Sequence, residues 1–250
     1  MKPETSLERL LSVLEIFTER RLEWTADDMM ERLGYARPTL YRYLKILCES
    51  GLLVSHPQAS YTLGPKIVEL DYLLRLSDPL ILAARPALEN LASQFRGTAL
   101  LVRWYGDRML CVDSVSSVDE QLSSYPRGRP MPLGRGAIAR TILAHLPKAQ
   151  AKSIVLAHLS DWIDLGLGET TDQVLTELRR SRRCGYAVAF EEVTRGVVGT
   201  AAPVLSQTRV PIGAICLTMR LEDANEGALK ELSGAVPFAA GQISAKQASR

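Results

Sequence analysis

Apolar residues recur at helical spacing from the start of the chain. Leu7, Leu10, Leu11, Leu14 and Phe17 predict an amphipathic helix over residues 6–18, with Ser6 as its N-cap. A second helix is predicted between Thr25, a capping residue, and Gly34, with Asp27 and Asp28 in its first turn. A third is predicted over residues 37–51. Pro38 suits its first turn, and Leu40, Tyr43, Leu44 and Leu47 form one apolar stripe. Residues 52–55 and 61–63 read as short strands around a turn containing Pro57. Helix, helix-turn-helix and hairpin, in that order, predict a winged helix-turn-helix over residues 1–64.

Helical spacing returns at residues 65–78, where Ile67, Val68, Leu70, Leu73 and Leu74 predict a linker helix broken at Asp78-Pro79. The aromatic and leucine-rich stripe over residues 67–82 is read as a dimer interface and interdomain hinge. The next helix, over residues 79–95, carries Leu82, Leu88, Leu91 and Phe95 toward a core. Beyond residue 98 the pattern changes. Strands are expected at 99–105 and 109–112 around Gly106-Asp107, then at 186–190, 197–205 and 212–219. Helices are expected at 136–145, 170–183 and 225–246. Strands and helices without strict alternation predict an α+β fold for residues 79–250, an antiparallel sheet with helices packed on it.

The chain has 250 residues and net charge +2, with 46% hydrophobic and 23% charged residues, an ordinary globular composition. This excludes a disordered chain and a disulfide-built miniprotein. No apolar run approaches the ~18 residues that span a bilayer, and the charged start is unlike a signal peptide. A cytoplasmic protein without membrane association is expected. Cys48, Cys111, Cys184 and Cys216 are too scattered for a local zinc site, so reduced thiols and no metal are expected.

The third predicted helix turns Arg37, Pro38, Thr39, Tyr41, Arg42 and Lys45 away from its apolar stripe. Such a face fits a DNA major groove. Arg42 can donate two bonds to guanine, Thr39 and Tyr41 can reach phosphate or a base edge, and Lys45 suits phosphate. Residues 1–64 hold eight basic residues against nine acids, but positions 32–48 hold four bases and no acid. The positive field is therefore local to this helix. The alternative is a helix-turn-helix used for protein contacts, its polar face merely solvated.

An enzyme is the less favoured alternative, and no catalytic residue or cofactor is expected. Gly134-Arg135-Gly136-Ala137-Ile138-Ala139 fits a loose dinucleotide fingerprint, but Pro126, Pro130 and Pro132 precede it where a buried strand is required. No nucleophile elbow is present, and His56, His145 and His158 have no local nucleophile. Glu191-Glu192 reads as two strand residues on opposite faces, with a structural or pocket-rim role rather than a catalytic one. The Arg179–Arg183 run reads as a solvated helix C-terminus.

The whole chain resembles the IclR family of bacterial transcription regulators. The amino-terminal likeness runs through Ser6-Leu7-x-Arg9-x-Leu11, Thr39-x-Tyr41-Arg42-x-Leu44, Gly51-Leu52-Leu53 and Tyr61-x-Leu63-Gly64. The carboxy-terminal likeness runs through Pro132-Leu133, Leu146-Pro147, Gly185-Tyr186-Ala187, Glu192, Gly196-Val197, Ala201-Ala202-Pro203-Val204 and Gly213-Ala214-Ile215. The resemblance implies a winged-helix DNA-binding domain, a linker helix and a GAF-like effector-binding domain. It further implies a homodimer or dimer of dimers on an operator, controlled by a small organic acid.

Against the family pattern, the segment before Tyr61 lacks the glycine and the basic residue that would support a phosphate contact from the wing tip. Where members that bind small polar acids carry polar side chains, this chain has Ala189, Gly199 and Cys216-Leu217-Thr218. A tiny hydrophilic ligand would lose partners and leave a void. The expected effector is therefore larger and flatter, such as an aromatic carboxylate. Its acid is expected at the helix start of Gly136 and Ala137 or at Arg127, Arg129 or Arg135. Its ring is expected near Ala189, Gly199, Cys216 and Thr218, with Trp104 or Tyr125 as walls.

Overall fold

A computed structural model describes residues 5–119 and 122–248. The chain divides into two compact units, Met1–Ser77 and Asp78–Arg250.

The first unit holds helices α1 (Ser6–Glu15), α2 (Ala26–Leu33), α3 (Arg37–Glu49) and α4 (Lys66–Ser77), and strands β1 (Trp24–Thr25), β2 (Leu53–His56) and β3 (Ser60–Leu63). The cap of α1 is Thr5 rather than Ser6. Its hydroxyl accepts from the Glu8 amide while Glu8 accepts from the Thr5 amide at 2.6 Å, a reciprocal capping box. Thr25 caps α2 as expected, and Gly34 ends it at φ +69°, a left-handed conformation that costs a glycine little. Val13, Met29, Leu40, Leu44, Leu47 and Leu53 form the core. The hairpin of β2 and β3 gains β1 as a third strand, in the order β1-β3-β2. At its tip, residues 57–59 form a single 3₁₀ turn without a basic side chain. No residue of α4 is buried; Val68, Tyr72, Leu73 and Leu76 are all more than half exposed.

The second unit opens with α5 (Pro79–Gln94). Asp78 caps it through the amides of Leu80 (2.8 Å) and Ile81, and also receives Arg103. Six strands follow: β4 (Thr98–Trp104), β5 (Met109–Ser116), β6 (Pro130–Met131), β7 (Ala187–Phe190), β8 (Val197–Leu205) and β9 (Pro211–Arg220). They form one antiparallel sheet in the order β6-β5-β4-β9-β8-β7. The prolines before residue 134 thus lead through a two-residue edge strand, where a missing amide is tolerated.

Strand alternation gives this sheet two faces. Leu101, Val198, Ala202, Ile215 and Leu217 face a core shared with α5 and α10 (Glu226–Ala248). Leu100, Ala189, Ala201, Ala214 and Cys216 face α6 (Gly136–Leu143). Leu82, expected in the core, is 47% exposed; its neighbour Ile81 takes the buried position. Helices α7 (Lys148–Ala157), α8 (Leu159–Asp164) and α9 (Thr171–Cys184) enclose a further core around Trp162. Arg182 and Arg183 lie in the last turn of α9, before the left-handed Gly185.

Candidate functional site

In the first unit, α3 buries Leu40, Tyr43, Leu44 and Leu47 and exposes Arg37, Pro38, Arg42 and Lys45. Thr39 and Tyr41 are half-buried beside them. Arg37 lies over the Tyr41 ring at 5.5 Å, and Arg42 over the Tyr43 ring at 5.4 Å. Stacking steers both guanidinium groups while leaving their donors available. Among the described residues Lys45 pairs with Glu49 at 3.8 Å, and both side chains are largely exposed. Such a pair is worth little, so the lysine can exchange it for a phosphate. The four cations between residues 32 and 48 are thus carried on α3 and the end of α2.

In the second unit, the α6 face of the sheet lines a pocket that opens to solvent. Its floor is a row across three strands. Ala189 pairs with Gly199, and Gly199 pairs with Thr218. Cys216 lies two positions along β9 from Thr218. A Cβ at Gly199 would sit 3.6 Å from Cys216 Sγ and 3.8 Å from Thr218 Cγ2, so the glycine leaves room without being sterically required. Burial pushes the Cys216 thiol up to about 12 and the Cys111 thiol up to about 11. At neutral pH both are uncharged. Thr218 donates to Thr98 O at 3.1 Å.

Of the ten residues expected at an effector, Tyr125, Arg135, Gly136, Ala137, Ala189, Gly199, Cys216 and Thr218 line this cavity. Trp104 and Arg129 do not. Trp104 ends β4 opposite Met109 and packs between the α6-side core and the α7–α9 core. Arg129, expected as a partner for the acid, donates to Ser124 O, and its guanidinium lies 4.9 Å from the Tyr125 ring centre, so it props that wall. Arg127 also lies outside the lining. Arg135 is committed to Asp161 at 2.7 Å, which pushes its pKa up.

The helix start expected to hold an acid already holds one. Glu192 Oε2 accepts from the Gly136 amide at 2.9 Å, and its Oε1 accepts from Arg140 Nη2 at 2.7 Å. Arg140, one turn into α6, also donates to Val188 O at 2.5 Å. The side chains of this ion pair are 9% and 12% exposed. Glu191 and Glu192 are not strand residues. They follow β7 in a loop, and Glu191 has φ +56°. Gly136 has φ +89°, and a Cβ there would lie 2.7 Å from Val193 Cγ2. Only glycine lets the loop approach the helix this closely. The next two amides, Ala137 and Ile138, have no partner among the described residues. Ser124 Oγ and Thr194 Oγ1, 2.8 Å apart, tie the segment before β6 to the same loop. The sequence suggested a structural or pocket-rim role for Glu191-Glu192 but did not signal Arg140, because nothing local pairs residues 52 apart.

Among the described residues, no cluster of His, Cys, Asp and Glu could hold a metal, and no helix could cross a membrane. A winged helix with a cationic third helix, and a separate sheet unit with an apolar cavity, make a ligand-controlled DNA-binding regulator. The IclR helix-turn-helix domain matches residues 6–57, and "Bacterial transcriptional regulator IclR C-terminal" matches residues 75–245. The chain belongs to the IclR family of bacterial transcriptional regulators.

The HTH-type transcriptional regulator Rv1719 of Mycobacterium tuberculosis is 30% identical over 212 residues, covering 84% of this chain and 79% of that protein. An IclR regulator of Alicyclobacillus acidocaldarius has the same fold, with TM-score 0.81 at 22% identity over 97% of this chain and 98% of that one. So does an IclR homologue of Microbacterium hydrocarbonoxydans complexed with 4-hydroxybenzoate, with TM-score 0.75 at 23% identity over 97% and 99%.

Proposed function

We propose that the effector of this regulator is an aromatic or closely similar organic acid, taken up in the cavity between the sheet and α6. The observation that carries the reading is the row Ala189, Gly199 and Thr218. It gives a flat, mostly apolar floor directly below the first turn of α6. A buried ring of roughly 150 Å² contributes about 3–4 kcal/mol by apolar transfer alone, which a two-carbon acid lacks. The acid group faces the first amides of α6, those of Gly136, Ala137 and Ile138, where a helix start favours an anion. The 4-hydroxybenzoate bound by the Microbacterium homologue supports this class of ligand.

On the DNA side, α3 enters the major groove, Arg42 reads guanine and Lys45 meets phosphate. Arg37, Pro38, Thr39 and Tyr41 supply the remaining contacts. The exposed apolar stripe of α4 pairs with a second copy of the chain in the cytoplasm, as a dimer or dimer of dimers on a pseudo-palindromic operator. Effector binding shifts the population of DNA-competent dimers. A thermal-shift panel tests the effector class. Benzoate-type acids stabilise the protein and glyoxylate-sized acids do not; the reverse pattern would reject the reading.

A further inference from the structure

The strongest anion position in the cavity is filled from within. Glu192 reaches back from the loop after β7 to the Gly136 amide, at the first residue of α6. Its other oxygen is held by Arg140, so both carboxylate oxygens have charge-assisted or helix-end partners in a nearly dry setting. Val193 packs where only Gly136 leaves space, which fixes the same loop against the helix. Glu192 is tethered, so it competes at an effective concentration that a free acid in solution does not match.

We propose that Glu192 determines the specificity of the cavity by occupying the seat of the effector's acid group. An acid enters by taking the α6 amides and expelling Glu192 from Gly136. Only a ligand whose apolar part is also buried recovers what that expulsion costs. Small carboxylates have no such part and are refused. Expelling Glu192 also frees the loop of residues 191–196, which Thr194 joins to Ser124, so occupation of the cavity is transmitted to the segment before β6. This inference rests on the effector reading above and deepens it.

The test compares the wild-type full chain with Glu192→Gln and Glu192→Ala, using acetate, glyoxylate and benzoate as probes in thermal-shift and calorimetric titrations. Gln keeps the shape of the side chain, so it carries the test if the alanine variant folds poorly. Acetate and glyoxylate are expected to leave the wild type unmoved and to stabilise the variants, and benzoate is expected to bind the variants roughly tenfold more tightly. Benzoate binding all three proteins equally, with acetate inert throughout, overturns the displacement and leaves the aromatic effector standing. No response of the wild type to any aromatic acid overturns the effector class, and a gain of acetate binding in the variants would then still uphold the role of Glu192. Acetate stabilising the wild type as strongly as the variants overturns the inference outright.

Discussion

Ser6 Oγ lies 3.0 Å from the Tyr43 hydroxyl, so the first helix of the chain is tied to the middle of the helix that carries Arg42 and Lys45. Tyr35 repeats the device with Ser12 Oγ at 2.7 Å, and the two tyrosine rings meet edge to face at 6.1 Å. Tyr43→Phe removes the hydroxyl and keeps the ring. The expected cost is about 1 kcal/mol of stability, read as a lower urea midpoint with unchanged slope.

On the proposed reading, Arg42 and Lys45 make two kinds of DNA contact. Arg42→Ala is expected to weaken operator binding by roughly 1–3 kcal/mol and to relax the preference at one base position. Lys45→Ala is expected to weaken all sequences alike and to flatten the dependence on salt. Anisotropy titrations on specific and scrambled duplexes at two salt concentrations read both. Unchanged operator affinity in Arg42→Ala contradicts the role given to that arginine.

Gly199 sits at ordinary contact distance from Cys216 and Thr218, so an added methyl group fits without strain. Gly199→Ala is expected to leave the melting temperature of the free protein nearly unchanged and to weaken benzoate binding by shallowing the floor. Gly199→Val is expected to abolish it. Calorimetry on the two variants checks the order.

The cysteines give a pH prediction. Burial raises Cys111 to about 11 and Cys216 to about 12, above the unfolded value of 9.0. The folded chain therefore holds these protons more tightly. The stability this gives is complete below about pH 9 and is lost as the pH rises toward 11–12. Urea midpoints measured from pH 7 to 10 should fall above pH 9, and a Cys111→Ala/Cys216→Ala variant should fall less steeply. At pH 8 a thiol reagent should modify the exposed Cys184 and spare the two buried thiols.

The sequence carried the elements whose signals are local. The stripe Leu40–Leu47, the cap at Thr25, the break at Asp78-Pro79 and the strands around Gly106 all stand where periodicity and turn chemistry predict them. The missed features are those set by distant partners. β1 is only Trp24 and Thr25, and it exists because β3 offers an edge. Leu82 reads as core by type but turns outward, because Ile81 and Ala84 hold the buried face of α5. In the cavity, the row of small residues was legible from its departures from the family pattern. The filling of the α6 start was not, because it depends on a left-handed Glu191 and on Arg140, 52 residues from Glu192. Trp104, expected as a wall, stands at a strand end and packs between the α6-side core and the core under α7–α9.

The central claim is that α3 reads DNA under the control of an acid bound in the second unit. The most direct measurement is an anisotropy titration of the full chain against the promoter region beside its own gene, at low ionic strength, with and without benzoate. Tighter binding than to a scrambled fragment is expected, with an affinity that moves when benzoate is added. Equal affinity for both fragments, unaffected by the acid, would contradict the claim.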